Sequence, residues 1–242
     1  MLNVFDPYEI RARVAPSLIV SLPILTTLGL CLPNADRSWQ FFVGSGVVAL
    51  ALLYGFTFIV RWLGRSKEDS LWQSWGGAPS TRIMRWPDRT LNRDTKLRIS
   101  RAVSATFGIQ LLSETEERTS PFTADQQIEN AFRQVRELLR LRDKDGLWSK
   151  HNAEYGFARN LLGSRILFLA LCFVGIAVCA AMSTHRGDKI LSSGLVTNLI
   201  YFLAWVPFGW KLLPKLAKDS ADRYAERAWL TFLALVGSSG QA

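Results

Sequence analysis

Four stretches of this 242-residue chain contain no Asp, Glu, Lys or Arg: residues 14–35, 38–60, 166–185 and 190–210. Each is 20 to 23 residues long and mostly apolar. A helix needs roughly 20 such residues to cross the hydrocarbon core of a bilayer. The pattern predicts an all-α polytopic membrane protein with four transmembrane helices, at about 16–33, 41–63, 166–183 and 190–213. Only Asp36 and Arg37 separate the first pair in charge, and only Arg186, Asp188 and Lys189 the second, so the spans form two hairpins. The expected organisation is a tail and first hairpin (1–63), a helical cytoplasmic domain (64–160), a second hairpin (161–213) and a C-terminal amphipathic helix (214–242). A signal peptide is disfavoured, because cleavage after Ala35 would put Pro33 where a small residue is wanted.

Basic residues set the orientation. Arg11 and Arg13 precede the first span, and Arg61, Arg65 and Lys67 follow or end the second. Arg159 and Arg165 precede the third, and Lys211, Lys215 and Lys218 follow the fourth. Both termini and the middle region are therefore expected in the cytoplasm, with the chain in a cell inner membrane. Trp39, Trp62, Trp205 and Trp210 fall near the expected interfaces.

The spans carry no Asp, Glu, Lys or Arg at depth, which argues against a coupled transporter. Their most polar interior residue is Asn198, read as an interhelical hydrogen-bonding group. Ser45/Ala49, Ala51/Gly55, Gly175/Cys179 and Ala177/Ala181 repeat small residues at four-residue spacing, which lets helices approach closely within the bundle or, less favoured, between subunits. Pro23 and Pro207 are expected to kink their helices.

Between Arg65 and Arg159 there are 17 basic and 13 acidic residues. Helical patterns cover about 93–111, 123–142 and 147–162, the second opening with Thr123 and Gln126 in capping-box form. Its stripe is Ile128, Phe132, Val135 and Leu139. Glu114, Glu116 and Glu117 read as a solvated loop. Residues 143–146 read as a helix–helix turn; a calcium loop would need an acid at Leu141 and a Glu at Asn152.

Residues 71–93 carry the candidate chemistry. Gly76, Gly77, Ser80, Thr81 and Arg82 are the parts of an anion cradle, Arg85 and Arg89 add positive charge, and Trp75 can stack on a base. The segment is a candidate site for a phosphorylated or nucleotide ligand, though it lacks the spacing of a P-loop. The plainer and favoured reading makes Trp72, Trp75 and Trp86 structural anchors and Gly76-Gly77 a turn. His151, Glu154, Arg159 and Asn160, just before the third span, read as a polar seam between the cytoplasmic domain and the membrane. Two histidines, and cysteines confined to the spans, leave no metal site to expect, and no cofactor motif is present. The tail pattern places Ala221, Tyr224, Ala225, Ala228, Phe232 and Leu235 on one stripe, better suited to helix packing than to lipid insertion.

These features favour a non-enzymatic inner-membrane protein whose cytoplasmic domain senses a ligand or partner and whose spans oligomerise or open. The alternative is a membrane-bound enzyme or binding subunit acting through residues 76–93. The net charge of +9 points to an anionic inner leaflet rather than nucleic acid, because the basic residues cluster at span ends. A second copy of the chain or a partner protein is expected, and a small-molecule ligand is admitted.

Overall fold

The computed structural model describes residues 7–31, 39–143, 146–186 and 189–239. It is 88% helical, and no strand occurs among the described residues. The helices are α1 (Pro7–Glu9), α2 (Ala15–Cys31), α3 (Trp39–Ser66), α4 (Glu68–Ser74), α5 (Pro79–Arg82) and α6 (Arg93–Phe107). They continue as α7 (Glu114–Thr119), α8 (Pro121–Arg142), α9 (Leu147–Gly163), α10 (Arg165–Arg186), α11 (Lys189–Pro207) and α12 (Leu213–Ser239). Two π-helical segments, Ile10–Val14 and Phe208–Leu212, join α1 to α2 and α11 to α12. The chain divides into two compact units, Met1–Glu68 with Gly156–Ala217, and Asp69–Tyr155 with Lys218–Ala242.

In the first unit α10 packs on α11 and α2, α11 packs on α2, and α3 lies against α2 and the first π segment. Three stretches are long and apolar enough to cross a membrane: Ile10–Leu30, Arg165–Thr184 and a window within Ser192–Gly237. The second expected span forms α3, 28 residues long. The side chains of residues 40–49 and the expected tip at 32–38 lie outside the described residues, so α3 is not counted with those three.

The unit buries several polar groups beside Val20, Val60, Leu161, Phe168 and Trp205, and carries rows of exposed apolar side chains. On α2, Ser17, Ser21 and Thr27 are buried, while Leu18, Leu22, Leu25 and Leu28 are 42–51% exposed. On α10, Cys172 and Cys179 are fully buried and Phe173 is 67% exposed; on α11, Asn198 is buried and Leu203 is 61% exposed. Water as the surrounding solvent would select the opposite arrangement. Glycines let the helices close: a Cβ on Gly163 would lie 2.5 Å from Gly64 Cα and Leu63 O, and one on Gly194 would lie 2.9 Å from Cys179 Sγ. The Gly175/Cys179 pair therefore faces neighbouring helices of the same chain, whereas Gly55 meets nothing within 4 Å.

The fourth span was expected to stop near Pro214. Instead the chain passes from α11 through a π segment into α12. The Leu213 amide reaches back five residues to the Phe208 carbonyl, just before Pro214. At the other end of the chain the Ala15 amide does the same to Ile10, just before Pro16. A proline has no amide for the carbonyl four residues back and its ring crowds that carbonyl, and a widened turn relieves both.

The second unit has a conventional core. Ile83, Ile99, Val103, Ile128, Val135, Leu139 and Trp148 pack with Ala225, Ala228, Trp229 and Phe232 of α12. The tail stripe is thus interior to this unit, with Phe107 stacked on Phe232 at 5.5 Å. Two expectations need correction. The acidic run is helix α7, opened by a capping box between Ser113 and Glu116, and Glu117 is buried. Helix α8 begins at Pro121, with proline in its first turn, so Thr123 and Gln126 lie inside it.

Candidate functional site

Residues 71–93 fold as the end of α4, a glycine turn, the short α5 and a loop into α6. Gly76 has φ +84° and Gly77 φ +121°, both in the region that favours glycine. The Gly77 amide donates to the Trp72 carbonyl (2.8 Å) and the Gly76 amide to the Gln73 carbonyl (3.2 Å). Those paired bonds are a Schellman motif, which closes the C-terminus of α4. The two amides that an anion cradle would use therefore cap a helix. Trp75 belongs to the same turn, its amide donating to Leu71 O and Trp72 O.

Both central arginines are held by carboxylates. Arg82 Nη1 donates to Asp88 at 2.9 Å and Nη2 to Asp222 of α12 at 2.6 Å. Arg85 grips Asp125 of α8 with two bonds of 2.7 Å and donates a third to the Gly76 carbonyl. The Asp125 hydrogen bond raises the already high Arg85 pKa, outweighing burial. A two-pronged guanidinium–carboxylate pair is a strong, directional contact. The Ser80 carbonyl accepts from Trp229 Nε1 at 3.0 Å. Thr81 is buried, and its hydroxyl meets no partner among the described residues. Trp72 donates to the Tyr155 hydroxyl and Trp86 to the Leu112 carbonyl, each at 3.1 Å. The segment therefore ties α4, α5, α8 and α12 together. A phosphate at Arg82 or Arg85 would compete with Asp88, Asp222 or Asp125, which already balance their charge.

Beside this clamp lie two buried charges that sequence reasoning missed. Lys96 is 2% exposed and donates to the Arg85 and Asp88 carbonyls at 2.5 Å each. Burial pushes its pKa below the ordinary lysine range, although Asp88 and Glu117 pull it back. Burial likewise pushes Glu117 upward, against the Trp86 amide it accepts from at 3.0 Å and the nearby Lys96. Burial would also raise Asp88, but hydrogen bonds from Thr90, with Arg82 and Lys96 close by, bring it below the usual carboxylate range. Lys96, Glu117, Trp86 and Ser100 line a cavity of about 10 Å³, room for one water. A helical spacing rule could not find them, because their partners Arg85, Trp86 and Asp88 lie in the loop between α5 and α6.

The four seam residues divide between the units. In the second, His151 Nδ1 stands 3.0 Å from Glu154 Oε2 on the same helix. In the first, Arg159 pairs with Glu68 at 3.0 Å, and Asn160 is buried. Asn160 Nδ2 donates to the Ala12 carbonyl at 2.7 Å. That carbonyl's α-helical donor would be residue 16, a proline, so Asn160 supplies a bond the helix itself lacks. Asn198 is fully buried and donates to Thr27 Oγ1 (3.1 Å) on α2 and to the Gly194 carbonyl (3.0 Å). A Cβ on Gly175 would stand 2.6 Å from both Asn198 Oδ1 and Thr27 Oγ1, so α2, α10 and α11 meet at this knot. No group of three or more His, Cys, Asp or Glu side chains able to hold a metal occurs among the described residues.

Comparison with protein-family models, with curated proteins and with solved structures finds no match to this chain.

Proposed function

We propose that the chain is an inner-membrane protein of the sensor or effector type. In this reading its four spans form two hairpins with both termini in the cytoplasm. The second unit is the cytoplasmic domain that receives a ligand or partner, and the spans assemble or open in response. The observation that carries the reading is the outward row of leucines on the first unit, with serine, threonine and asparagine among its buried side chains. A lipid surround favours that arrangement, since apolar tails solvate leucine and leave polar groups to pair between helices. The separate core of the second unit supports a domain that folds in water.

The phosphate or nucleotide alternative is the weaker one, since carboxylates already balance the charge of Arg82 and Arg85 and the glycine amides it would use cap α4. Four measurements test the main reading. The chain should stay with membranes after alkaline extraction, and single cysteines at positions 34 and 187 should label from outside the cell while one at 240 should not. In mild detergent it should run as an oligomer, and overproduction should depolarise the membrane. A strictly monomeric, electrically silent protein would remove the effector half of the proposal and leave the topology standing.

A further inference from the structure

The basic residues at the two ends of the first hairpin come together in the fold. Arg11 and Arg13 sit on the π segment Ile10–Val14, and α3 packs against that segment. The packed face of α3 is Thr57, Val60 and Gly64, with Arg61 beside it and Arg65 one turn further on. Arg61 is near enough to Arg13 and Arg65 to feel both charges, along with the single carboxylate of Glu9. Glu9 is already paired with Arg13. Arg61 thus has two guanidinium neighbours and one carboxylate neighbour among the described residues, at the end of an apolar helix. Like charges held together at the edge of a low-dielectric region repel strongly unless an anion joins them.

The surroundings identify the anion. Ile10, Phe58, Ile59 and Trp62 are exposed next to the arginines, Trp62 by 67%. A free inorganic ion gains nothing from that apolar slope, whereas a phospholipid can lay an acyl chain along it and its phosphate on the guanidinium groups. We propose that Arg13, Arg61 and Arg65 form a binding site for the phosphate of an anionic phospholipid, with Ile10, Phe58 and Trp62 contacting its chain. The site rests on the membrane reading above and gives its lipid partner a defined place.

The test uses the full chain purified in an uncharged detergent. Thermal unfolding is followed while phosphatidylglycerol, phosphatidylcholine or inorganic phosphate is added. Phosphatidylglycerol should raise the melting temperature saturably and the other two should not. Arg61→Gln should weaken the apparent affinity about fivefold, and Arg65→Gln, an exposed position safe for folding, by a similar factor. Lys211→Gln, at the end of the other hairpin and outside the site, should leave it unchanged. Equal weakening by Lys211→Gln would replace the site with general surface attraction and overturn the proposal. So would an equal response to phosphatidylcholine, or full reproduction of the shift by inorganic phosphate. Failure of the underlying reading would show separately, as a chain that stays soluble when cells are broken and fractionated.

Discussion

The two units hold their interiors together by different contacts. Beside Val20, Leu161, Phe168 and Trp205, the first buries small and neutral polar groups, Ser17, Thr27, Cys172, Cys179 and Asn198, with glycines that bring backbones to contact. The second is filled with large ones, Trp229, Phe232, Phe132 and Ile99, and clamped by Arg–Asp pairs. Each choice suits a solvent. In lipid, burying a leucine gains little over leaving it outside, so stability comes from close backbone approach and a few interhelical hydrogen bonds. In water, large apolar groups gain most from burial. The first unit should therefore be broken by adding atoms to its interior, and the second by removing them.

The largest effect is expected for Trp229→Ala, which empties the centre of the second core and frees the Ser80 carbonyl. It should cost about 4 kcal/mol in denaturant unfolding of the detergent-solubilised chain, while Leu203→Ala on the outer face of the first unit should cost under about 0.5 kcal/mol. Comparable losses at both positions would erase the contrast. Next comes Gly163→Ala, whose added methyl meets backbone atoms of α3 that cannot swing away. A loss of about 3 kcal/mol is expected, against a neutral or slightly stabilising Gly55→Ala, where the space is open.

Arg82→Met tests the clamp, leaving Asp88 and Asp222 without their shared partner. Because these groups keep some contact with solvent, about 2 kcal/mol is expected rather than the full cost of a buried pair. The counterpart in the first unit, Asn198→Ala, which removes the interhelical bond without adding atoms, should cost only about 1 kcal/mol. A double-mutant cycle of Arg82 with Asp222 would show whether the pair is coupled.

The smallest effect is in pH. Glu117 has its folded pKa raised above the ordinary glutamate value, so the folded state holds its proton longer than the unfolded chain does. Its contribution is fullest below the unfolded pKa and falls as pH rises through the folded one. Asp88 runs the other way: lowered in the fold, it contributes above its unfolded pKa and loses that contribution as pH drops through the folded value. Wild type should lose ground to Glu117→Gln as pH climbs from about 4.5, read as a difference in melting temperature. A difference that grows in favour of wild type over that range would contradict the burial of Glu117.

These contrasts were only partly legible in the sequence. Charge-free windows locate α2, α10 and α11 because a long apolar run is a local property, written in consecutive residues. The tail stripe at Ala225, Ala228 and Phe232 was legible for a similar reason, since helical spacing repeats within a few residues. Arg82 was visible as a cation, but Asp222 stands 140 residues away and no local pattern joins them. Three acids in four residues at 114–117 suggested solvent, yet Ser113 and Glu116 carry the capping-box spacing that starts a helix there. The same spacing at Thr123 and Gln126 drew attention to the wrong start, because Pro121 opens α8 two residues earlier.

The two π segments carry one more consequence. Each holds one residue more than an α-helical path needs, a spare length stored beside a proline. An α-helix turns about 100° per residue, so cutting that spare residue out would not merely shorten the rod. It would rewind everything beyond it by more than a quarter turn. In α2 the row of Leu18, Leu22, Leu25 and Leu28 would roll away from its present side, and Ser17, Ser21 and Thr27 would roll with it. The widened turn is in that sense a phase setting: it decides which edge of the helix looks toward its neighbours.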